Sequence, residues 1–208
     1  MHLTRAESTT KFPIPRKGTK YLARPLESVD NSVSVVMAVR DMLKLARTAR
    51  EVKKMINSKV LKINGRIVKD YRESIKLFNV LEADKKYLLT LSTNGKFKLV
   101  PSEGNERVCK VIGKKTLNKA RTQINLHDGT NFIAGKEKIE IGDSVYVAIP
   151  DNKPKKVVKL DKGAKCFVIK GRYIGKEGKV KSREGKKVEI EFADGKIVKI
   201  PQGEVIAL

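Results

Sequence analysis

The spacing of apolar residues in the first half of the chain predicts helices. Residues 33–58 carry apolar side chains near helical spacing, and a second helix is predicted to begin at Thr48. Thr48 and Glu51 fit a capping box, in which each side chain accepts a hydrogen bond from a backbone amide of the first turn. We expect the apolar stripe of this second helix to be buried: Ala49, Val52, Met55 and Ile56.

Asn-Gly and Asp-Gly pairs between apolar runs predict hairpins, because a type I′ turn needs two consecutive residues with positive φ. Asn64-Gly65 follows the predicted helices directly, and Asn94-Gly95 separates two further predicted strands. From residue 107 onwards short β-branched runs dominate, punctuated by Asp128-Gly129 and Asp194-Gly195. The pattern therefore predicts an α+β, multi-domain chain.

Four segments follow from these patterns. We expect a basic extended arm at 1–32, a helix-helix-hairpin module at 33–104, a central β domain at 105–160 and a small β unit at 161–208. Pro13, Pro15 and Pro25 prevent a regular helix in the arm. Because residues 1 to about 25 have no evident apolar face, we expect them to be disordered until they lie on a phosphate surface.

Charge narrows the class of partner. The chain has 208 residues with 46 Lys or Arg against 23 Asp or Glu, a net charge of +23, and such self-repulsion favours a polyanionic partner. A membrane is a weaker candidate, because the chain has no Trp and its longest apolar run, 35–39, is far shorter than a membrane span. Cys109 and Cys166 lie too far apart in sequence for a metal knuckle or a disulfide framework, which favours a reducing compartment.

Enzymatic motifs are weak. Gly113-Lys114-Lys115-Thr116 ends like a phosphate-binding loop, but Val108 stands where its first glycine belongs. His127 has no nucleophile at a suggestive spacing, and we expect it to be structural. Asp70 lies downstream of Gly65-Arg66, an arrangement that loosely resembles a pseudouridine synthase loop but lacks an evident catalytic domain. We predict no catalytic residues, no metal, no cofactor and no small-molecule substrate.

Three stretches, in order, resemble one family. Residues 48–68 resemble the α-L RNA-binding module, and residues 171–180 resemble the KOW motif, which completes a small SH3-like barrel. Residues 2–5 and 11–17 resemble the arm of the archaeal and eukaryotic S-four-e family of small-subunit ribosomal proteins. The family usually has Trp where Phe12 and Tyr21 stand, and the absence of a long basic tail after residue 208 favours an archaeal-type source.

The resemblance implies a cytoplasmic structural protein of the small ribosomal subunit, with small-subunit rRNA and neighbouring ribosomal proteins as partners. The alternative is an RNA-modifying enzyme or an elongation factor that uses the same modules as anchors. Two regions are especially basic: residues 40–72 hold eleven Lys or Arg against three acidic residues, and residues 151–187 hold fourteen against four. Glycines beside the second region are expected to let a phosphate backbone approach the main chain.

The predicted RNA-binding residues fall into three groups, in the arm, the helix-hairpin module and the KOW-like stretch: Lys11, Arg16, Lys17, Lys20; Arg47, Arg50, Lys53, Lys54, Lys62, Arg66; and Lys170, Arg172, Gly175, Lys176, Gly178, Lys179. Tyr173 is the one plausible base-stacking aromatic, although we expect it to pack.

Overall fold

The computed structural model describes residues 3–15, 17–118, 121–134 and 139–208. They form two compact units, residues 1–104 and 105–208. Strands dominate both units among the described residues, so the structure is mainly β and the predicted α+β class overstates the helix content.

The first unit contains two short strand pairs and one larger antiparallel sheet. Its strands are β1 (Leu3–Thr4), β2 (Tyr21–Leu22), β3 (Ser32–Ser34), β4 (Lys62–Ile63), β5 (Arg66–Ile67), β6 (Ser74–Lys76), β7 (Val80–Glu82), β8 (Lys86–Leu91) and β9 (Phe97–Pro101). β1 pairs with β2, β3 pairs with β6, and the five-stranded sheet has the order β5-β4-β7-β8-β9. The hairpin predicted at Asn94-Gly95 is confirmed, because it joins β8 to β9.

The first predicted helix is shorter than the sequence pattern suggests. Residues 32–34 form β3 instead of helix, because their backbone pairs with β6 and the β-branched Val33 favours the strand. A π-helical segment, Met37–Met42, follows, and the amide of Leu43 donates to the carbonyl of Ala38 over 2.9 Å. A helix over the whole of 33–47 is therefore wrong.

The second predicted helix is confirmed as α1 (Ala49–Asn57), with Thr48 as its N-cap. The Thr48 hydroxyl accepts from the Glu51 amide over 3.3 Å. Glu51 reaches back one residue further than predicted, and its Oε2 accepts from the amide of Arg47 over 2.8 Å. Val52 and Ile56 are buried, whereas Ala49 and Met55 are half-buried.

The Asn64-Gly65 turn is confirmed. The two residues have φ values of +52° and +80°, as a type I′ turn requires, and they join β4 to β5. The Asn64 carboxamide oxygen also accepts from the amide of Val80 over 2.9 Å. This contact ties the turn to β7, the strand that pairs with β4 in the same sheet.

The N-terminal segment packs on the first unit, and the prediction that it has no apolar face is wrong. Leu3 lies in β1 and is buried, and Phe12 is only 2% exposed. The Phe12 and Phe97 ring centroids are 6.4 Å apart, and the Phe97 amide donates to the Lys11 carbonyl over 2.8 Å. The sequence did not indicate that Leu3 and Phe12 are buried, because these apolar residues are isolated among polar ones and follow no period.

The second unit contains two antiparallel five-stranded sheets. Its strands are β10 (Glu106–Asn118), β11 (Arg121–Leu126), β12 (Asn131–Ala134), β13 (Ser144–Ala148), β14 (Pro154–Val158), β15 (Lys165–Val168), β16 (Glu177–Glu184), β17 (Lys187–Phe192), β18 (Ile197–Pro201) and β19 (Val205–Ala207). One sheet has the order β12-β11-β10-β13-β14 and the other β18-β17-β16-β15-β19. The Asp194-Gly195 hairpin is confirmed between β17 and β18.

Each sheet of the second unit has its own apolar core. Charged residues of this unit are buried as well, among them Arg107, Lys110 and Asp128. Cys109 and Cys166 lie in different cores, and both are free thiols. Arg107 and Asp128, each about 1% exposed, form an ion pair of 3.0 Å. Lys110 is 5% exposed, and its amino group donates to the carbonyl of Val205 over 2.6 Å and to that of Gln202. Lys110 thus links β10 to residues 202–205 through two hydrogen bonds.

Candidate nucleic-acid interface

The polar face of α1 presents four cations. Arg47, immediately before the helix, and Arg50, Lys53 and Lys54 within it are all exposed. At about 100° per residue Arg50, Lys53 and Lys54 cover one sector of the helix, roughly opposite the buried Val52, and Arg47 precedes the N-cap. Burial of the apolar stripe thus directs the cations outward, as predicted.

The hairpin adds two basic residues of different character. Lys62 in β4 is half-buried. Arg66 in β5 has a side chain that is 75% exposed, and its guanidinium lies 3.4 Å from the Glu73 carboxylate. The Glu73 side chain is only 13% exposed and also accepts from the amide of Lys69 over 3.1 Å, so this carboxylate keeps a hydrogen bond if the exposed Arg66 guanidinium turns toward another anion.

Two residues near α1 were missed by sequence reasoning. The amino group of Lys53 lies 4.6 Å from the ring centroid of Tyr71, and the guanidinium of Arg72 lies 5.6 Å from the same centroid. Asp70 binds Arg72 through an Oδ2–Nη2 contact of 3.1 Å. Its hydrogen bonds with Arg72 lower the pKa of Asp70. The sequence signal was present, since an aromatic residue is interleaved with charges directly after the hairpin.

The predicted cations of the N-terminal segment are placed as follows. Lys17 and Lys20 are exposed, and Lys20 lies 5.5 Å from the ring of its neighbour Tyr21. Lys11 is half-buried, and its amino group donates to the carbonyl of Asp30 over 3.0 Å. Arg16 lies outside the described residues.

The KOW-like stretch, residues 171–180, covers the loop between β15 and β16 and the first four residues of β16, so the strand before the loop, β15, lies ahead of this stretch. Gly171 and Gly175 lie in the loop between β15 and β16 with φ values of +81° and +77°, so both are turn glycines. Gly178 does not belong to this loop, which corrects the sequence interpretation. It lies in β16, pairs with Phe192, and is packed so closely that an added Cβ would lie 2.5 Å from Ile190 Cγ2.

The cations of this stretch are exposed to different degrees. Lys170, Arg172 and Lys179 are exposed. Lys176 is half-buried and lies 3.5 Å from the carboxylate of Asp194. The ring of Tyr173 stacks on Phe192 with centroids 5.1 Å apart. Tyr173 therefore has a packing role, as expected, rather than an exposed stacking role.

Two positive charges of the second unit lie in its interior. Arg107 is committed to Asp128, and its guanidinium also donates to the Asn152 side chain over 2.8 Å. Burial lowers the pKa of Lys110 to about 8. The inward position of Arg107 could have been found from the sequence, because Arg107, Cys109 and Val111 are spaced two residues apart along β10 and therefore share one face, and both of the apolar residues are buried.

Groups with catalytic potential are held in structural contacts. His127 Nδ1 accepts from the amide of Lys110 over 3.0 Å, in agreement with its predicted structural role. Burial raises the pKa of Cys166 to about 11 and that of Cys109 further still, which disfavours the nucleophilic thiolate. The described residues contain no group of three or more His, Cys, Asp or Glu arranged to hold a metal ion. Within those same ranges, no helix is long and apolar enough to cross a membrane.

Known proteins resemble this chain in sequence and in fold. A profile of the family described as "Ribosomal family S4e" matches residues 83–154. The chain is 30% identical over 210 residues to the "Small ribosomal subunit protein eS4" of Methanocella arvoryzae, covering 98% of this chain and 88% of that protein.

The chain belongs to the eS4 family.

A second eS4 relative, from Methanothermobacter thermautotrophicus, is 32% identical and covers 86% of this chain and 78% of its own length. The fold agrees as well. The crystal structure of the "30S ribosomal protein S4e" of Thermoplasma acidophilum superposes with a TM-score of 0.75 at 24% identity, covering 86% of this chain and 95% of that one. The resemblance that the sequence motifs indicated is thereby confirmed at the level of the family.

Proposed function

We propose that this eS4-family protein is a structural constituent of the small ribosomal subunit that binds rRNA through exposed basic faces and supports subunit assembly and translation. The observation that carries the proposal is the α1 face, where a buried apolar stripe aims Arg47, Arg50, Lys53 and Lys54 outward. Its relatives carry the name of a small-subunit protein, so rRNA and neighbouring ribosomal proteins are the partners this predicts.

The finer domain layout belongs to the same proposal. We assign residues 33–104 to an α-L-type module, 105–160 to a central β domain and 161–208 to a KOW-type SH3-like barrel. The strand-loop-strand at β15 and β16 and the type I′ hairpin after α1 support this assignment. The cations of the barrel loop, Lys170, Arg172 and Lys176, supply a second RNA-facing group.

Recognition is expected to depend on the RNA backbone. The exposed groups in these faces are cations and main-chain atoms, which contact phosphate and sugar, whereas Tyr173, the base-stacking candidate of the KOW-like stretch, is packed against Phe192. The Asp70 carboxylate, the residue that the enzymatic alternative would use, forms an ion pair with Arg72. Neither observation favours a second function.

The test is the salt dependence of binding to a small-subunit rRNA fragment. Six or more phosphate contacts should weaken affinity roughly a thousandfold between about 50 and 200 mM salt, because bound phosphates release counterions. Arg50→Ala with Lys54→Ala should weaken binding and reduce the slope of log K against log salt by roughly 1 to 2 without lowering the melting temperature.

A matched control is Lys96→Ala with Lys98→Ala, which removes two exposed charges from the same unit outside the α1 face. This control should lose less affinity than the α1 variant. Wild-type affinity that does not change with salt, or equal losses in the two double variants, would overturn the assignment of the α1 face.

A further inference from the structure

Two cations from different elements lie against one aromatic ring in the first unit. Lys53 projects from α1, and Arg72 lies in the segment between β5 and β6. Their charged groups are 4.6 and 5.6 Å from the centroid of the Tyr71 ring. Cations at these distances are attracted by the ring quadrupole, so the ring holds both side chains near one place.

The charges in this group do not cancel. One carboxylate, that of Asp70, serves both cations: it binds Arg72 directly, and Lys53 acts on it more weakly through space. Two cations with one carboxylate leave a net positive charge. An additional anion would complete the neutralisation, and a phosphate oxygen suits both a guanidinium and an amino group.

The segment that carries Tyr71 is itself fixed. The Tyr71 carbonyl accepts from the amide of Val36 over 3.0 Å, and the Asp70 carbonyl accepts from the amide of Glu73 over 3.0 Å. The Asp70 carboxylate also accepts from the amide of Arg72 over 2.8 Å. The ring therefore sits on an anchored turn, and a long lysine side chain resting on it has lost part of its rotamer freedom before any ligand arrives.

We propose that Lys53, Tyr71 and Arg72 form one phosphate-binding cluster for RNA, in which Tyr71 is the positioning residue. The proposal rests on the proposed rRNA binding and deepens it, because it adds two residues, Tyr71 and Arg72, that are absent from the predicted RNA-binding set. Tyr71 acts by keeping the Lys53 amino group in place, and Arg72 supplies a second donor.

The experiment measures affinity for the same rRNA fragment with Tyr71→Leu and Tyr71→Phe. Tyr71→Phe keeps the ring and should stay near wild-type affinity. Tyr71→Leu keeps the bulk but loses the ring, and it should weaken binding roughly two- to fivefold. In a double-mutant cycle with Lys53→Gln the two losses should be less than additive, because the ring acts through Lys53.

Two further variants keep the proposal falsifiable if Tyr71→Leu lowers the melting temperature. Lys53→Gln and Arg72→Gln should each weaken binding and reduce the salt slope by roughly 1. The proposal is overturned if both leave affinity unchanged, if Tyr71→Phe is as weak as Tyr71→Leu, or if the cycle is additive. If Arg50→Ala with Lys54→Ala weakens rRNA binding while the variants of Lys53, Tyr71 and Arg72 bind like the wild type, only the cluster is contradicted. If the wild-type protein does not bind rRNA, the proposed function is contradicted as well.

Discussion

Gly175 and Gly178 lie three residues apart, and different backbone constraints require them. Gly175 has a φ of +77°, and its amide donates to the carbonyl of Val168 over 2.8 Å. Gly178 instead leaves room for its neighbours, since an added Cβ would lie 2.8 Å from the carbonyl oxygen of Glu191. Both glycines thus have a folding role before any contact with RNA is considered.

We therefore expect Gly175→Ala and Gly178→Ala each to lower the free energy of unfolding, by about 1 kcal/mol for the strained φ and about 1 to 3 kcal/mol for the overpacked strand. The matched control is Gly113→Ala, because its added Cβ would have no neighbour nearer than 3.7 Å. Denaturant unfolding gives all three values. If Gly175→Ala and Gly178→Ala lose RNA affinity at unchanged stability, the glycines serve the RNA contact instead.

Lys110 makes stability depend on pH. The pKa of Lys110 is lowered from 10.5 to about 8, mainly by burial and also by the charge of the nearby Lys170, while Glu204 opposes the shift. Between pH 8 and 10.5 the unfolded chain therefore binds more protons at this site than the folded protein. The contribution of Lys110 to stability accordingly rises with pH across this window.

We expect the stability of the wild type relative to Lys110→Met to increase from pH 7.5 to pH 10, by on the order of 2 kcal/mol. Urea unfolding at the two pH values measures this difference. Lys162→Met, at an exposed position, is the control, and its stability should follow the wild type. A Lys110→Met difference that stays constant, or falls, over this range would contradict the account.

At the scale of elements, the sequence correctly predicted the helix start and the hairpins that are determined by neighbouring residues in the chain. Thr48 and Glu51 marked the start of α1, and Asn64-Gly65 and Asp194-Gly195 marked their hairpins, because caps and tight turns depend on adjacent residues. It failed at β3, where Val33 pairs with Ile75 of β6, about forty residues away. Such long-range pairing leaves no periodic trace.

The candidate site shows the same division. Exposure of the α1 cations follows from the helical period alone. The contact of Lys53 with Tyr71 and the burial of Lys110 do not follow from a local period, because each depends on a segment distant in sequence that packs against the residue.

The N-terminal segment provides a test at this scale. Phe12→Ala should lower the free energy of unfolding by about 3 kcal/mol or more, because its ring is only 2% exposed against the first unit. Lys17→Ala, exposed in the same segment, should change it by less than about 0.5 kcal/mol. Unfolding monitored by denaturant compares them. Equal stability of the two variants would restore the expectation that the segment is disordered in the free protein.

For the whole molecule, charge and family point to the same partner. A net charge of +23 on 208 residues repels itself, and an rRNA surface relieves that repulsion. Not every charge contributes, since Arg107 is neutralised inside the second unit and Lys110 is buried there. The proposed RNA contacts fall on exposed cations, such as those of α1 and of the loop after β15.

Sedimentation of the native protein tests the central claim most directly. Small and large ribosomal subunits are separated on a gradient after a moderate salt wash, and the protein is quantified in each fraction. We predict that it remains in the small-subunit fraction in near-stoichiometric amount, and that Arg50→Ala with Lys54→Ala is released at lower salt than the wild type. Recovery of the wild-type protein only at the top of the gradient, even without the wash, would contradict the account.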